Sequence, residues 1–429
     1  MSRNKRPDSS RGRERQSSLN PGRNLAGAVL KATESGYHAD SEMDRRSAGV
    51  STADRGLAWN IVQGVLRKRG SLDRHLAEAG GKSSLLKFDV EVRVALRIGL
   101  FEILETRTPN HAAVDQAVQL VAVLGKGRAR GVVNAVLRKS ISHSFEPDVF
   151  DNHPDWLVKR WKRFYGESGA EKMCRANDKV APLGISIMPN QVEVVEQLRE
   201  AVEWIEPAMV SGTPMKNAWV LGGVRGSVSD LPGFGSWWVM DPAATATVEL
   251  LQLQKGEQVL DVCAAPGGKT MRIASEGATV YATDRSQGRL IRLKESAERL
   301  GFDVGVSQVD WVLSPELEGP EMDAVLVDAP CTGLGTLRRH PEIRWRTLPT
   351  DSAAMAIEQL EILTNASKRV RIGGRVVYSV CSPAPEEGAE LVAQFLVENP
   401  NFSLEEATLS APQRFHEDAF YGARIRRNS

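Results

Sequence analysis

Residues 258–270 read QVLDVCAAPGGKT. An apolar, β-branched run breaks into a turn of small residues and then Gly-Lys-Thr, which predicts a strand, a tight turn and a helix start in that order. The final letters imitate a phosphate-binding loop, but that loop needs G-x-x-x-x-G-K-[ST], because successive backbone amides must wrap the phosphates without side-chain interference. Cys263 stands where the first glycine is required. A dinucleotide fold asks instead for G-x-G-x-x-G after its first strand, and this turn does not supply it. What remains is a strand, a small-residue turn, a helix and an acid, Asp284, closing the next strand ATVYATD about twenty positions on, where a carboxylate can accept both ribose hydroxyls. A nucleoside without phosphates fits this pattern, and S-adenosylmethionine is the common one. AVLVD at 324–328 imitates a Walker B strand and keeps an ATPase as the competing reading.

The rest of the chain after residue 241 alternates in the same way. VGVSQVD ends at Asp310, DAVLVDAP near Asp328 and GGRVVYSVC at Cys381, with helical stretches such as GRLIRLKESAERL between the strands. This is the pattern of a doubly wound α/β domain, whose ligands bind at the carboxyl ends of the strands. Cys331, in VDAPCTGLGTLRRHPEIRW, and Cys381, in VVYSVCSPAPEE, both fall at such ends. One buried cysteine is usually a small hydrophobe; two at the functional edge of one sheet point to chemistry. Carbon 5 of cytosine is not nucleophilic in the aromatic ring, but a thiolate adding at carbon 6 makes it enamine-like and able to attack a methyl donor.

The whole chain has 429 residues, which implies more than one domain. No apolar run approaches the roughly 18 residues of a membrane span, and the N-terminus lacks the apolar segment of a signal peptide. That N-terminus carries seven basic against two acidic side chains in its first 24 residues, so residues 1–21 are expected to be a disordered basic tail. The four cysteines, Cys174, Cys263, Cys331 and Cys381, form no C-x-x-C pair and have no histidines at zinc spacing. A reduced, cytoplasmic protein without a metal is the expectation.

Residues 22–148 read as helical. In VEVRVALRIGLFEIL, Val90, Val94, Ile98, Phe101 and Leu104 step by four and three along one helix face. The basic turn GKGRARG, with Arg128 and Arg130, precedes a further helix. The motifs DRGLAWNIVQGVLRKRGSLDRHLA, RIGLFEIL, HAAVDQAV and GRARGVVNAVLRK together resemble the NusB-like RNA-binding domain. That resemblance implies that Arg128 and Arg130 contact RNA phosphates. Residues 149–240 read as a small α+β insert, in which Trp156, Leu157, Trp161 and Phe164 cluster at helical spacing and are expected to be core or interdomain packing rather than base-stacking platforms, which usually sit on exposed strands.

HPDWLVKRW, LDVCAAPGGKT, DAPCTGLGTLRRHPEIRW, YSVCSPAPEE and HEDAFYGARI resemble the RNA cytosine-5 methyltransferases. With the NusB-like segment in front, the architecture is similar to the Sun/RsmB type, which acts on small-subunit ribosomal RNA. The resemblance implies a Rossmann-like methyltransferase domain over 241–429. In it, Cys263, Ala264, Ala265, Pro266, Gly267, Gly268 and Lys269 form the cofactor turn, Asp284 holds the ribose and Asp310 sits by the adenine. Asp328 lies between cofactor and cytosine, Cys381 is the nucleophile, Cys331 assists breakdown of the adduct, and Arg338, Arg339 and His340 contact RNA. Val380 stands where that family has threonine, and ISIMPN lacks its usual arginine. A monomer is expected. The alternatives are a catalytically silent RNA-binding assembly factor, or a methyltransferase for another ribosomal RNA site or a transfer RNA.

Overall fold

The computed structural model describes residues 19–81, 84–224, 226–410 and 417–429. The basic tail up to residue 18 and His416 of the terminal motif lie outside them. Residues 19–21, read as the end of that tail, instead start the first helix: the Asn20 side chain accepts from the Arg23 amide and Pro21 opens the first turn, where its missing N–H costs nothing.

Contacts divide the chain into two compact units, one of residues 1–65 and 72–146, the other of 66–71 and 147–429. The first is helical: α1 (Pro21–Thr33), α2 (Ala39–Arg46), α3 (Thr52–Arg67), α4 (Arg69–Ala79), α5 (Val90–Glu105), α6 (Asn110–Val121) and α7 (Arg130–Ser142). The single apolar face expected for α5 proves too narrow. Ten of its residues are buried, Val92 and Leu100 among them, while Leu104 is exposed. A helix buried on most sides stands at the centre of a bundle rather than on its surface. Arg97 is buried on it because its guanidinium reaches Asp73 Oδ1 and Oδ2 at 2.6 and 2.7 Å and Glu34 Oε1 at 2.8 Å. At Gly99 a Cβ would lie 2.6 Å from Leu137 Cδ1, so α5 and α7 approach closely only through glycine.

The second unit begins with α8 (Asp155–Asn177), whose backbone breaks at Gly166 (φ 73°). Then β1 (Leu183–Ile187), α9 (Val192–Ala201), β2 (Trp204–Val210), β3 (Thr213–Gly222) and β4 (Trp237–Val239) follow, and the strands form an antiparallel sheet in the order β2-β3-β1-β4. Ile185, Val195, Leu198, Leu221 and Trp237 form the core of this small α+β layer.

The larger sheet is built from β5 (Gln258–Val262), β6 (Thr279–Asp284), β7 (Val304–Gln308), β8 (Met322–Asp328), β9 (Val370–Val380), β10 (Phe402–Leu409) and β11 (Tyr421–Arg427), in the order β10-β11-β9-β8-β5-β6-β7. β5 to β9 are parallel, and β11 and β10 are added antiparallel. Its helices are α10 (Pro242–Glu249), α11 (Gly268–Ser275), α12 (Gln287–Leu300), α13 (Ile343–Arg346), α14 (Asp351–Ser367) and α15 (Ala389–Glu398). Buried cores lie on both faces, one through Val259, Met271 and Leu293, the other through Leu260, Val325 and Ile362, as near-continuous apolar parallel strands require. The strand order reverses between β5 and β8, the switch point where such sheets open a crevice.

Candidate functional site

Everything that follows β5, β6, β7, β8 and β9 converges on that crevice. The chain leaves β5 with Cys263 at φ 59° and reaches Gly267 at φ 108°, the left-handed residue before α11. A Cβ at Gly267 would sit 2.9 Å from Leu293 Cγ, so the turn needs glycine there for conformation and for space. The Ala264 amide bonds Thr283 O at 2.8 Å and that of Ala265 reaches Asp284 Oδ2 at 3.3 Å, tying the turn to the end of β6. Asp284 is buried, also accepts from the Ser286 amide at 2.8 Å, and faces Arg289 Nη1 at 3.4 Å. Asp310, just past β7, accepts from the Val312 and Leu313 amides, both at 3.0 Å, and these bonds hold its carboxyl below the usual range.

Asp328 ends β8 and meets Lys269 Nζ, from the first turn of α11, at 2.7 Å. Burial pulls the ammonium towards neutrality, but Asp328 more than reverses this and raises the Lys269 pKa, so it stays charged beside Cys381. Cys331 Sγ and Cys381 Sγ are 3.2 Å apart. The contact with Cys381, together with burial, pushes the Cys331 thiol well up, so it is held protonated. Burial also pushes up the Cys263 thiol, which is inert under the turn. A cavity of about 330 Å³ joins Cys263, Ala265, Pro266, Lys269, Asp284, Asp310, Asp328, Cys331 and Cys381. Ala264, Gly267 and Gly268 support its wall from within the turn.

Glu387 holds the two cysteine loops together. Its wholly buried carboxylate accepts from Thr332 N at 2.8 Å, from Thr332 Oγ1 and Ser382 Oγ at 2.5 Å each, and from Gln359 Nε2 at 3.1 Å. Sequence reasoning missed this residue, and also Arg289, Trp311 and Phe420 on the cavity wall. Trp311 follows Asp310 directly and Arg289, in the first turn of α12, lies five residues beyond Asp284, so proximity to an expected site residue was the available signal.

The basic cluster after Cys331 behaves differently from expectation. Arg338 is only 2% exposed, and its Nη2 donates to Glu417 O at 2.5 Å and Asp418 Oδ1 at 3.1 Å. Arg339 is held by Asp241 Oδ2 at 2.6 Å, Asp418 Oδ2 at 2.8 Å and Pro182 O at 2.8 Å. These guanidiniums are committed to internal carboxylates and are not surface phosphate contacts. His340 is half-buried, with its amide bonded to Thr336 O at 2.9 Å. Arg128 and Arg130, in the other unit, are exposed.

Asp261, fully buried at the end of β5, accepts from Thr270 Oγ1 at 2.6 Å, and its Oδ1 has no hydrogen-bond partner. Burial pushes its carboxyl to about 7, against the pull of the Thr270 bond. Because this folded-state value lies above the unfolded one, its contribution to stability is complete below the unfolded pKa and is lost as pH rises through about 7. Asp261→Asn removes the titration. Urea unfolding between about pH 5 and pH 8 is expected to show the variant losing less stability than the parent, by up to about 3 kcal/mol. Equal losses would contradict this.

Among the described residues no group of three or more His, Cys, Asp or Glu could hold a metal ion, and no helix is long and apolar enough to cross a membrane. Three family models match the chain: the NusB family over residues 22–142, the ferredoxin-like domain of RsmF/B-like methyltransferases over 153–201, and the 16S rRNA methyltransferase RsmB/F family over 248–425. The ribosomal RNA small subunit methyltransferase B of Serratia proteamaculans is 32% identical over 385 residues, covering 86% of this chain and 88% of its own. That of Yersinia enterocolitica is 31% identical over 428 residues, covering 93% and 97%. The crystal structure of PH0851, 24% identical, superimposes with a TM-score of 0.77 over 96% of this chain and 100% of its own, a likeness of fold. With sequence similarity running through both units at this length, the chain belongs to the RsmB/F family of 16S rRNA methyltransferases.

Proposed function

We propose that this protein methylates carbon 5 of a cytosine in small-subunit ribosomal RNA, with Cys381 forming a transient thioether to carbon 6. It is a ribosomal RNA methyltransferase by family, and its cofactor is S-adenosylmethionine. The observation that carries the finer reading is the pair of thiols at 3.2 Å, at the ends of adjacent parallel strands and beside the Lys269–Asp328 ion pair.

The cavity fits the cofactor on its own chemistry. A phosphate-binding loop would aim its lysine at phosphates, whereas Lys269 is held by Asp328, and Asp284, Asp310 and Glu358 add further acids to the wall. With Arg289 facing Asp284 and Arg285 paired with Glu358, the lining has one more acid than bases and leaves no lysine free for a phosphate, which disfavours a triphosphate. In this reading Asp284 takes the ribose hydroxyls, Asp310 and Trp311 lie by the base, and the turn from Cys263 to Lys269 holds the remainder. When bound, S-adenosylmethionine supplies an electrophilic methyl group to carbon 5.

The chain's own residues do the rest. The Cys381 sulfur adds to carbon 6, and the electrons of the 5,6 double bond move to carbon 5 and into the ring. As the sulfur adds, N3 of the ring takes up a proton from water, and Asp328 accepts hydrogen bonds from that N3–H and the exocyclic amine, which offsets the charge delivered by the sulfur. After methylation, the carbon 5 proton passes to water, the double bond re-forms and the carbon–sulfur bond breaks, returning its electrons to Cys381, while N3 gives its proton back to water. The Cys331 thiol, in contact with that sulfur, is placed to donate a hydrogen bond to it as it leaves. Arg128 and Arg130 are assigned to the RNA backbone.

Asp284→Ala is expected to weaken S-adenosylmethionine binding by about 1–3 kcal/mol in calorimetric titration, since charge-assisted hydrogen bonds are lost. Magnesium-dependent ATP binding with no response to S-adenosylmethionine would contradict the cofactor assignment. The target is tested by bisulfite sequencing of ribosomal RNA from a deletion strain: one protected cytosine in the small-subunit RNA should become convertible, and re-expression should restore it. A transfer RNA or large-subunit site would redirect the substrate, and no lost site would leave the silent assembly factor.

A further inference from the structure

α8 packs on the loop that follows Cys331 and is bonded to the loop that follows Cys381. Its inner side, Leu157, Val158 and Trp161, shares a core with Leu334, Leu337 and Ile343. Tyr165 donates its hydroxyl to Pro383 O at 2.9 Å, and Arg160 forms an ion pair with Glu386. Lys159, Arg160, Arg163 and Phe164 follow one another at i, i+1, i+4 and i+5 and therefore share the other side of the helix. Lys159, Arg163 and Phe164 are exposed there. The Arg160 and Arg163 guanidiniums each lie 5.5 Å from the Phe164 ring centre.

We infer that this face of α8 is a single-stranded RNA subsite, holding the nucleotides beside the target cytosine with one base stacked on Phe164. The inference rests on RNA being the substrate of the neighbouring cleft. A cytosine must leave its stack to reach Cys381, and its neighbours lose their stacking partner when it does. An aromatic ring flanked by guanidiniums supplies a replacement surface for any base, while the exposed Lys159 and Arg163 neutralise the phosphates on either side and Arg160, paired with Glu386, anchors the face to the nucleophile's loop. Three arginine or lysine side chains and an exposed ring on one face, anchored to the nucleophile's own loop, match that requirement in charge and shape.

The test uses the full-length protein and its ribosomal RNA substrate. Phe164→Ala is expected to raise the KM for RNA about tenfold. The kcat and S-adenosylmethionine affinity should stay within about twofold, the melting temperature should not fall by more than about 2 °C, and Phe164→Trp should restore the KM. Arg163→Gln should raise the KM and lower the slope of log affinity against log salt by about one. A photoreactive benzoylphenylalanine at position 164 should crosslink to nucleotides adjoining the modified position. An unchanged KM in both variants, or crosslinks only to distant RNA, would overturn the subsite. If a base other than cytosine proves to be modified, the proposed chemistry fails while the KM and crosslinks still report on this face.

Discussion

Cys381→Ala is expected to lose methyl transfer by at least about a thousandfold, as removal of a covalent nucleophile does. Cys331→Ala is expected to methylate once and then stall as a covalent protein–RNA complex. The two sulfurs are in contact, so position alone does not separate their roles. The roles are assigned from the resemblance of DAPCTG and YSVCSPAPEE to the RNA cytosine-5 methyltransferases, and the two variants test that assignment. Cys381 follows strand β9, with the Lys269 ammonium within electrostatic reach. The stalled complex should run as a slow band on denaturing gels and vanish on ribonuclease treatment. Trapping by Cys381→Ala and none by Cys331→Ala would exchange the two roles.

Asp418→Ala is expected to destabilise the protein by about 3 kcal/mol, because it removes a buried carboxylate shared by two guanidiniums. Asp418 is 1% exposed and is shared between Arg338 at 3.1 Å and Arg339 at 2.8 Å. Arg339 retains Asp241, but Arg338 keeps only the carbonyl of Glu417 among these partners. Denaturant unfolding followed by tryptophan fluorescence should show the loss, and Asp418→Asn, which still accepts a hydrogen bond, should lose less. A change below about 1 kcal/mol would mean that water replaces the carboxylate at little cost. The cluster joins the loop after Cys331 to residues 241 and 418, so a destabilised variant should also show slower methylation.

The parallel strands and the turn were legible in the sequence because their signals are local. A strand buried on both faces is a short apolar run, and a turn that must pass Leu293 at 2.9 Å admits only glycine at 267. Arg338 and Arg339 were misread because their partners Asp241 and Asp418 lie far away in the chain, and nothing local distinguishes a paired buried arginine from a solvated one. Phe164 was grouped with Leu157 and Trp161 by spacing, yet it is 41% exposed. It lies at the edge of the buried stripe, two residues before the break at Gly166, where the helix no longer follows the core. Glu387 carried no signal in the sequence at all: its importance comes from four bonds to residues on two separate loops and a helix.

The most direct test of the covalent mechanism uses substrate RNA carrying 5-fluorocytidine at the target position. Fluorine cannot leave carbon 5 as a proton does, so the protein should be trapped after addition and methylation. Protease and nuclease digestion followed by mass spectrometry is expected to find the methylated fluoronucleotide on the peptide containing Cys381. Attachment to Cys331, or methylated RNA released with no covalent product, would contradict it.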